Sequence, residues 1–204
     1  MAAPTSHAAR LSDELEEWLN GDGEKTLGGL VETFGEKSFA ILFVLLLGVP
    51  ALPIPTGGAT HVFEVIAALV ALQLIAGRHE VWLPRRWQAI RLGGERQQRF
   101  LNSLMRFIRR LERFSRPRFT FLFHHRLSDV AFGLLVIGGS AAAFVAPPFS
   151  GLDTLPALAV VVISLGMLLE DALIAIAGVI LGIVGVALEV VLGAAAVHGL
   201  KSVL

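Results

Sequence analysis

The chain has 204 residues, 54% of them from the set AVILMFWYC, with 17% charged residues, no cysteine and a formal net charge of zero. With its 21 glycines added, the apolar share lies well above the roughly 45–50% of a soluble domain counted the same way, and the mean hydropathy is +0.70. This argues against an ordinary soluble enzyme, excludes a disordered chain, and leaves no thiol for a disulfide framework or a thiolate-held metal. It predicts an all-α, polytopic integral membrane protein.

Charge and hydropathy divide the chain into residues 1–37, 38–77, 78–126 and 127–204. Residues 1–37 are an acidic arm, with eight acids against three bases. No basic stretch precedes an apolar run there, so no signal peptide is expected. Leu11, Leu15, Trp18 and Leu19 fall at helical spacing between Asp13, Glu14, Glu16 and Glu17, predicting an amphipathic helix that ends near Asn20-Gly21. A second short helix fits Thr26 to Phe34, with Thr26 as N-cap and Gly35 closing the C-terminus.

Residues 38–77 read as a membrane helical hairpin. Ser38 to Thr60 is uncharged and is broken by Pro50, Pro53 and Pro55, which fix φ and remove amide donors. Thr56-Gly57-Gly58 completes the turn. Val65 to Gly77 is the second run, with His61 and Glu64 at its border. It stops at Arg78-His79-Glu80, and Trp82 and Trp87 follow as aromatic anchors of a membrane surface would.

Residues 78–126 are basic. Between 78 and 118 there are twelve Arg, Arg85 and Arg86 among them, against Glu80, Glu95 and Glu112. In Glu95–Arg118 an apolar stripe of Phe100, Leu104, Phe107, Leu111 and Phe114 is flanked by Arg96, Arg99, Arg106, Arg109, Arg110 and Arg113. Such a helix lies in the membrane interface, its Arg among anionic headgroups. Two roles stay open: a topology determinant alone, or contact with anionic lipid or a lipid-linked glycan. Nucleic acid is not an expected partner. Lys and Arg near span ends resist translocation. The block is therefore expected in the cytoplasm, the arm with it, and the Pro53–Gly58 and Pro147–Gly151 turns in the periplasm. Arm and basic helix then share a surface, and the arm is expected to dock there through Leu11, Leu15 and Trp18 as well as through charge.

Residues 127–204 form a second membrane region. Val130 to Leu152 is an apolar run ending in Pro147, Pro148 and Gly151. Thr154 to Leu169 is another, closed by a polar turn at Glu170-Asp171. Ala172 to Val197 is apolar around Glu189. Gly178, Gly182 and Gly185 lie along it, suited to close helix packing or a homodimer. Four to five membrane helices result. Several runs are shorter than the roughly 20 residues of a span, so they are either tilted or re-entrant and broken at the Pro turns. Laying Pro55 on Pro148 and Gly58 on Gly151, an offset of 93 residues, gives a weak internal repeat of the kind used in transport-type folds.

Glu64, Glu189 and His61 are the candidate intramembrane polar residues, because ionisable groups there usually face a cavity or a partner. No catalytic constellation, metal-ligand pattern or cofactor motif is visible, so none is expected.

The order of Thr26-Leu-Gly-Gly-Leu-Val-Glu-Thr-Phe-Gly-Glu-Lys-Ser-Phe, Pro-Ile-Pro, Ala71-Leu-Gln-Leu-Ile-Ala-Gly-Arg-His-Glu-Val-Trp-Leu-Pro84, Leu111-Glu-Arg-Phe-Ser-Arg-Pro-Arg118 and Leu165-Gly-Met-Leu-Leu-Glu-Asp171 resembles the bacterial exopolysaccharide-synthesis ExoD family, over about Leu11 to Leu200. One departure is Thr56 before Gly57, where the family has Pro-Gly or a similar pair. The resemblance implies a multi-pass inner-membrane protein linked to exopolysaccharide production, and a process rather than a reaction. The leading expectation is a non-enzymatic scaffold or a lipid- or glycan-binding component. A proton- or ion-coupled permease and an enzyme on lipid-linked sugars are the alternatives.

Overall fold

The computed structural model describes residues 11–21, 25–52, 60–91, 95–115, 125–146 and 151–203. Among them the secondary structure is helical, with one isolated bridge between Thr26 and Arg91. The helices are α1 (Leu11–Asn20), α2 (Leu27–Phe34), α3 (Lys37–Gly48), α4 (His61–Ile75), α5 (Arg85–Gln88), α6 (Glu95–Phe114), α7 (Arg126–Val145), α8 (Thr154–Leu168) and α9 (Ala172–Val203). They fall into two compact units, one drawn from Met1–Gly35 and Leu83–Arg116, the other from Glu36–Trp82 and Pro117–Leu204.

The first unit follows its local signals. The Thr26 hydroxyl accepts from the Gly29 amide at 3.1 Å, satisfying an otherwise orphaned donor of the first turn. Gly35 closes α2, its amide donating to the Val31 carbonyl. The Gly21 amide donates to the Glu17 carbonyl where α1 ends. α1 packs against α6, and α2 against α5. Leu15, Met105 and Ile108 are buried.

The second unit is two helical hairpins and a long last helix. α3 packs on α4 and on α8, and α7 packs on α4 and on α8. That pattern is unchanged when the two hairpins are exchanged. Phe43 of α3 and Phe132 of α7 meet edge to face, with ring centroids 5.5 Å apart.

An offset of 93 residues carries α4 onto α8 end to end. The exits repeat as well. Ala76, Gly77 and Arg78 donate to Leu72, Leu74 and Gln73, while Leu169, Glu170 and Asp171 donate to Leu165, Met167 and Gly166. Each is a Schellman ending, which needs one left-handed residue: Gly77 at φ +85 and Glu170 at φ +50. Buried Glu64, Ala67, Val70 and Ala71 correspond to buried Ala157, Val160, Ile163 and Ser164.

α9 lies along α8 at backbone distance. A Cβ placed on Gly178 would stand 2.7 Å from the Ile163 amide nitrogen, and one on Gly185 would stand 2.9 Å from Leu155 Cβ. The glycine face therefore serves packing within the chain. The opposite side of α9 exposes Ile176, Ile180, Ile183, Val190 and Val191, each more than half accessible.

Among the described residues two helices are long and apolar enough to cross a membrane: α7, and α9 over Ala172–Ala195. On length, two of the expected four to five spans are supported among the described residues. α3, α4 and α8 have 12, 15 and 15 residues. At about 1.5 Å per residue they reach only about 18–23 Å, short of the roughly 30 Å hydrocarbon core.

Candidate functional site

The first turn of α4 carries the most unusual polar group. His61 and Glu64 are three residues apart, so they share a helix face. His61 Nδ1 and Glu64 Oε2 are hydrogen-bonded at 2.7 Å. Glu64 is only 1% exposed, because it stands at the head of the buried stripe of Ala67, Val70, Ala71 and Leu74. Its Oε1 is buried and has no hydrogen-bond partner among the described residues. The Phe144 ring of α7 packs on the imidazole, with centroids 4.9 Å apart. A carboxylate with one free oxygen in such a place can hold a proton or a small cation.

Glu189 is not brought to that pair. It sits half-buried on α9. Of the turn residues, Pro50 is buried after α3, and Gly151 has φ +69 with open space around it. Pro53, Pro55, Gly57, Gly58, Pro147 and Pro148 lie outside the described residues.

In the other unit Arg85 and Arg86 are exposed on α5, and Arg106, Arg109, Arg110 and Arg113 are exposed on α6. The side chains of Arg96 and Arg99 lie outside those described. Arg109 pairs with Glu16 of α1. The Ser12 amide and hydroxyl both donate to the Glu112 carboxylate, the amide at 2.9 Å. α1 thus lies on the basic helix, but Trp18 takes a different part from the one expected. Its ring meets Phe34 of α2 edge-on at 6.2 Å, and Lys25 Nζ stands 5.4 Å over it. Trp18 and Lys25, with Glu17, Thr26, Glu32 and Thr33, line an open cleft of about 470 Å³. No group of three metal-ligating side chains occurs among the described residues.

Some working residues escaped the sequence reading. Arg126 donates to the Ile75 carbonyl at 2.8 Å, capping α4 from α7. Gly77 leaves room for that guanidinium, since a Cβ there would stand 2.0 Å from it. The Gln73 side chain accepts the Trp82 amide at 2.8 Å. Asp171 accepts the Leu173 amide at 3.0 Å, making the polar turn an N-cap for α9. Only the last carried a local signal, an acid just before an apolar run. The others depend on residues distant in sequence, or on a side chain reaching back across a loop.

These features define a helical protein with a buried carboxylate–imidazole pair, two helices of membrane-crossing length and a basic amphipathic helix. The family model described as "Exopolysaccharide synthesis, ExoD" matches residues 11–191, and the chain belongs to that family. A Synechocystis sp. protein described as uncharacterised is 35% identical over 178 residues, covering 86% of this chain and 83% of that one. Protein ExoD of Rhizobium meliloti is 29% identical over 154 residues, covering 75% of this chain and 64% of its own length. No solved structure matches.

Proposed function

We infer that the protein is a multi-pass component of the bacterial inner membrane that serves exopolysaccharide synthesis or export, as a scaffold or a lipid- or glycan-binding part rather than as an enzyme. The observation that carries the process is family membership over residues 11–191. Membrane residence is supported by the uncovered apolar side of α9, an exposure too large for a soluble monomer. In this reading α7 and α9 cross the bilayer, while the shorter α3, α4 and α8 are re-entrant or broken elements packed against them, giving four to five membrane helices. The exposed Arg of α6 hold the cytoplasmic face among anionic headgroups. The cleft at Trp18 offers an aromatic ring beside carboxylates, an ammonium and hydroxyls, a lining suited to a sugar end.

Deletion of the gene tests the process: secreted polymer should fall while passive membrane permeability stays constant. Unchanged polymer output would remove the reading. Topology is tested in a chain with no native Cys. A Cys at Gln97 should react only from the cytoplasmic side, and periplasmic labelling would overturn the orientation. A second reading, a proton- or ion-coupled permease, is favoured by the buried carboxylate of Glu64.

A further inference from the structure

α4 and α8 share bounds, exit hydrogen bonds and buried face, yet differ at the first turn. Where α8 has Thr154 and Ala157, α4 has His61 and Glu64. Ala157 is 0% exposed and Glu64 1%. Packing at this place therefore needs no carboxylate, and Glu64 is an addition to a frame that holds without one.

As an anion Glu64 is poorly provided for. His61 bonds one oxygen, and the other is buried with no partner among the described residues. The elements packed on α4 bring little compensating charge. α3 carries Lys37 in its first turn, and α7 carries Arg126 and Asp129 in its first turn. Arg126 is engaged at Ile75, the far end of α4. α8 carries no charge within its bounds, and Asp153 before it is an acid. His61 keeps 27% of its side-chain exposure, and no described residue bonds its Nε2. An ionised carboxylate so placed is costly, whereas the protonated acid is not.

We propose that His61 and Glu64 form a proton-binding site that is loaded through the exposed side of the imidazole. A proton arriving at Nε2 is matched by release of the Nδ1 proton to Glu64 Oε2. The imidazole returns to neutral in its other tautomer, and the carboxylate becomes a carboxylic acid. The pair passes from a net charge of minus one to zero. Only N–H and O–H bonds change, and unloading is the reverse sequence. Phe144 holds the ring in the plane that keeps Nδ1 on the carboxylate. The proposal deepens the permease reading and rests on it only for the use made of the proton.

The test treats the full chain in its membrane with N,N′-dicyclohexylcarbodiimide, an apolar reagent that couples to protonated carboxyls, and locates the label by mass spectrometry. Glu189, also on an apolar helix, is the internal reference. Label on Glu64 is expected to fall several-fold from about pH 5 to about pH 8, as the buried carboxylic acid gives up its proton. His61→Ala should flatten or displace that profile and leave the Glu189 profile in place, and Glu64→Gln should lose the label at this position. An unlabelled Glu64 at every pH, a label independent of pH, or a His61→Ala profile identical to wild type would overturn the site. Glu64→Ala, which copies the α8 residue, should keep wild-type helix content, so a labelling difference is not a folding difference. Proton uptake into proteoliposomes separates the two ideas. Label without uptake keeps the site and removes the permease reading, and uptake without label does the reverse.

Discussion

α4 and α8 are one helix built twice from different residues. Both have 15 residues, both leave through a Schellman turn, and both bury the same face. The apolar period and the turn fix that backbone, so the residues at individual buried positions are free to differ as long as they fit. The difference at the first turn is therefore informative. Thr154 and Ala157 show what packing requires, and His61 and Glu64 show what has been added to it.

The largest effect is expected from forcing the second copy to resemble the first. Ala157→Glu would bury a carboxylate beside Thr154, with no imidazole to bond it. It should cost several kcal/mol in an unfolding titration, the usual scale for an unpaired buried charge. A loss under about 1 kcal/mol would show that α8 also accommodates an acid, and would dissolve the distinction. Adding Thr154→His should return part of the loss.

Gly178→Val comes next, because α9 approaches α8 at backbone distance there. The added carbons meet the Ile163 backbone, which a side-chain rotation cannot relieve. A destabilisation of about 1–3 kcal/mol is expected, whereas the same change at Gly193, where a Cβ meets nothing, should be neutral. Equal effects would break the assignment of the glycine face to packing within the chain.

The two exits should respond in opposite directions. Gly77→Ala places a Cβ at φ +85 and against Arg126, and should destabilise by about 1–2 kcal/mol. Glu170→Gly relieves a non-glycine residue at φ +50, and should stabilise by up to about 1 kcal/mol. Thermal unfolding of the pair checks the sign.

The smallest effect concerns the exposed ion pair of Glu16 and Arg109. Glu16 and Arg109 are 48% and 47% exposed, against 1% for Glu64, so solvent screens them. Arg109→Gln should cost no more than about 1 kcal/mol, and added salt should loosen α1 only partly, since Leu15 and Ile108 stay buried. Complete release of α1 in high salt would mean that charge alone holds the arm.

Local chemistry determined a good deal of this protein in the sequence itself. Thr26 and Gly35 announce the ends of α2, Asn20-Gly21 ends α1, and the uncharged apolar run from Thr154 to Leu169 delimits α8 to within a residue. These depend on contacts a few residues apart, which composition and spacing record. The 93-residue offset was legible as Pro55 on Pro148 and Gly58 on Gly151. Its strength lies in main-chain hydrogen bonds, which leave little trace in identity. Tertiary structure decided the rest. Whether Glu64 faces lipid, water or the core depends on which side of α4 meets α7, and a helix with apolar residues nearly all round does not disclose that side. Likewise Arg126 reaches Ile75, and the glycines of α9 meet α8, only because packing brings together residues that are far apart along the backbone.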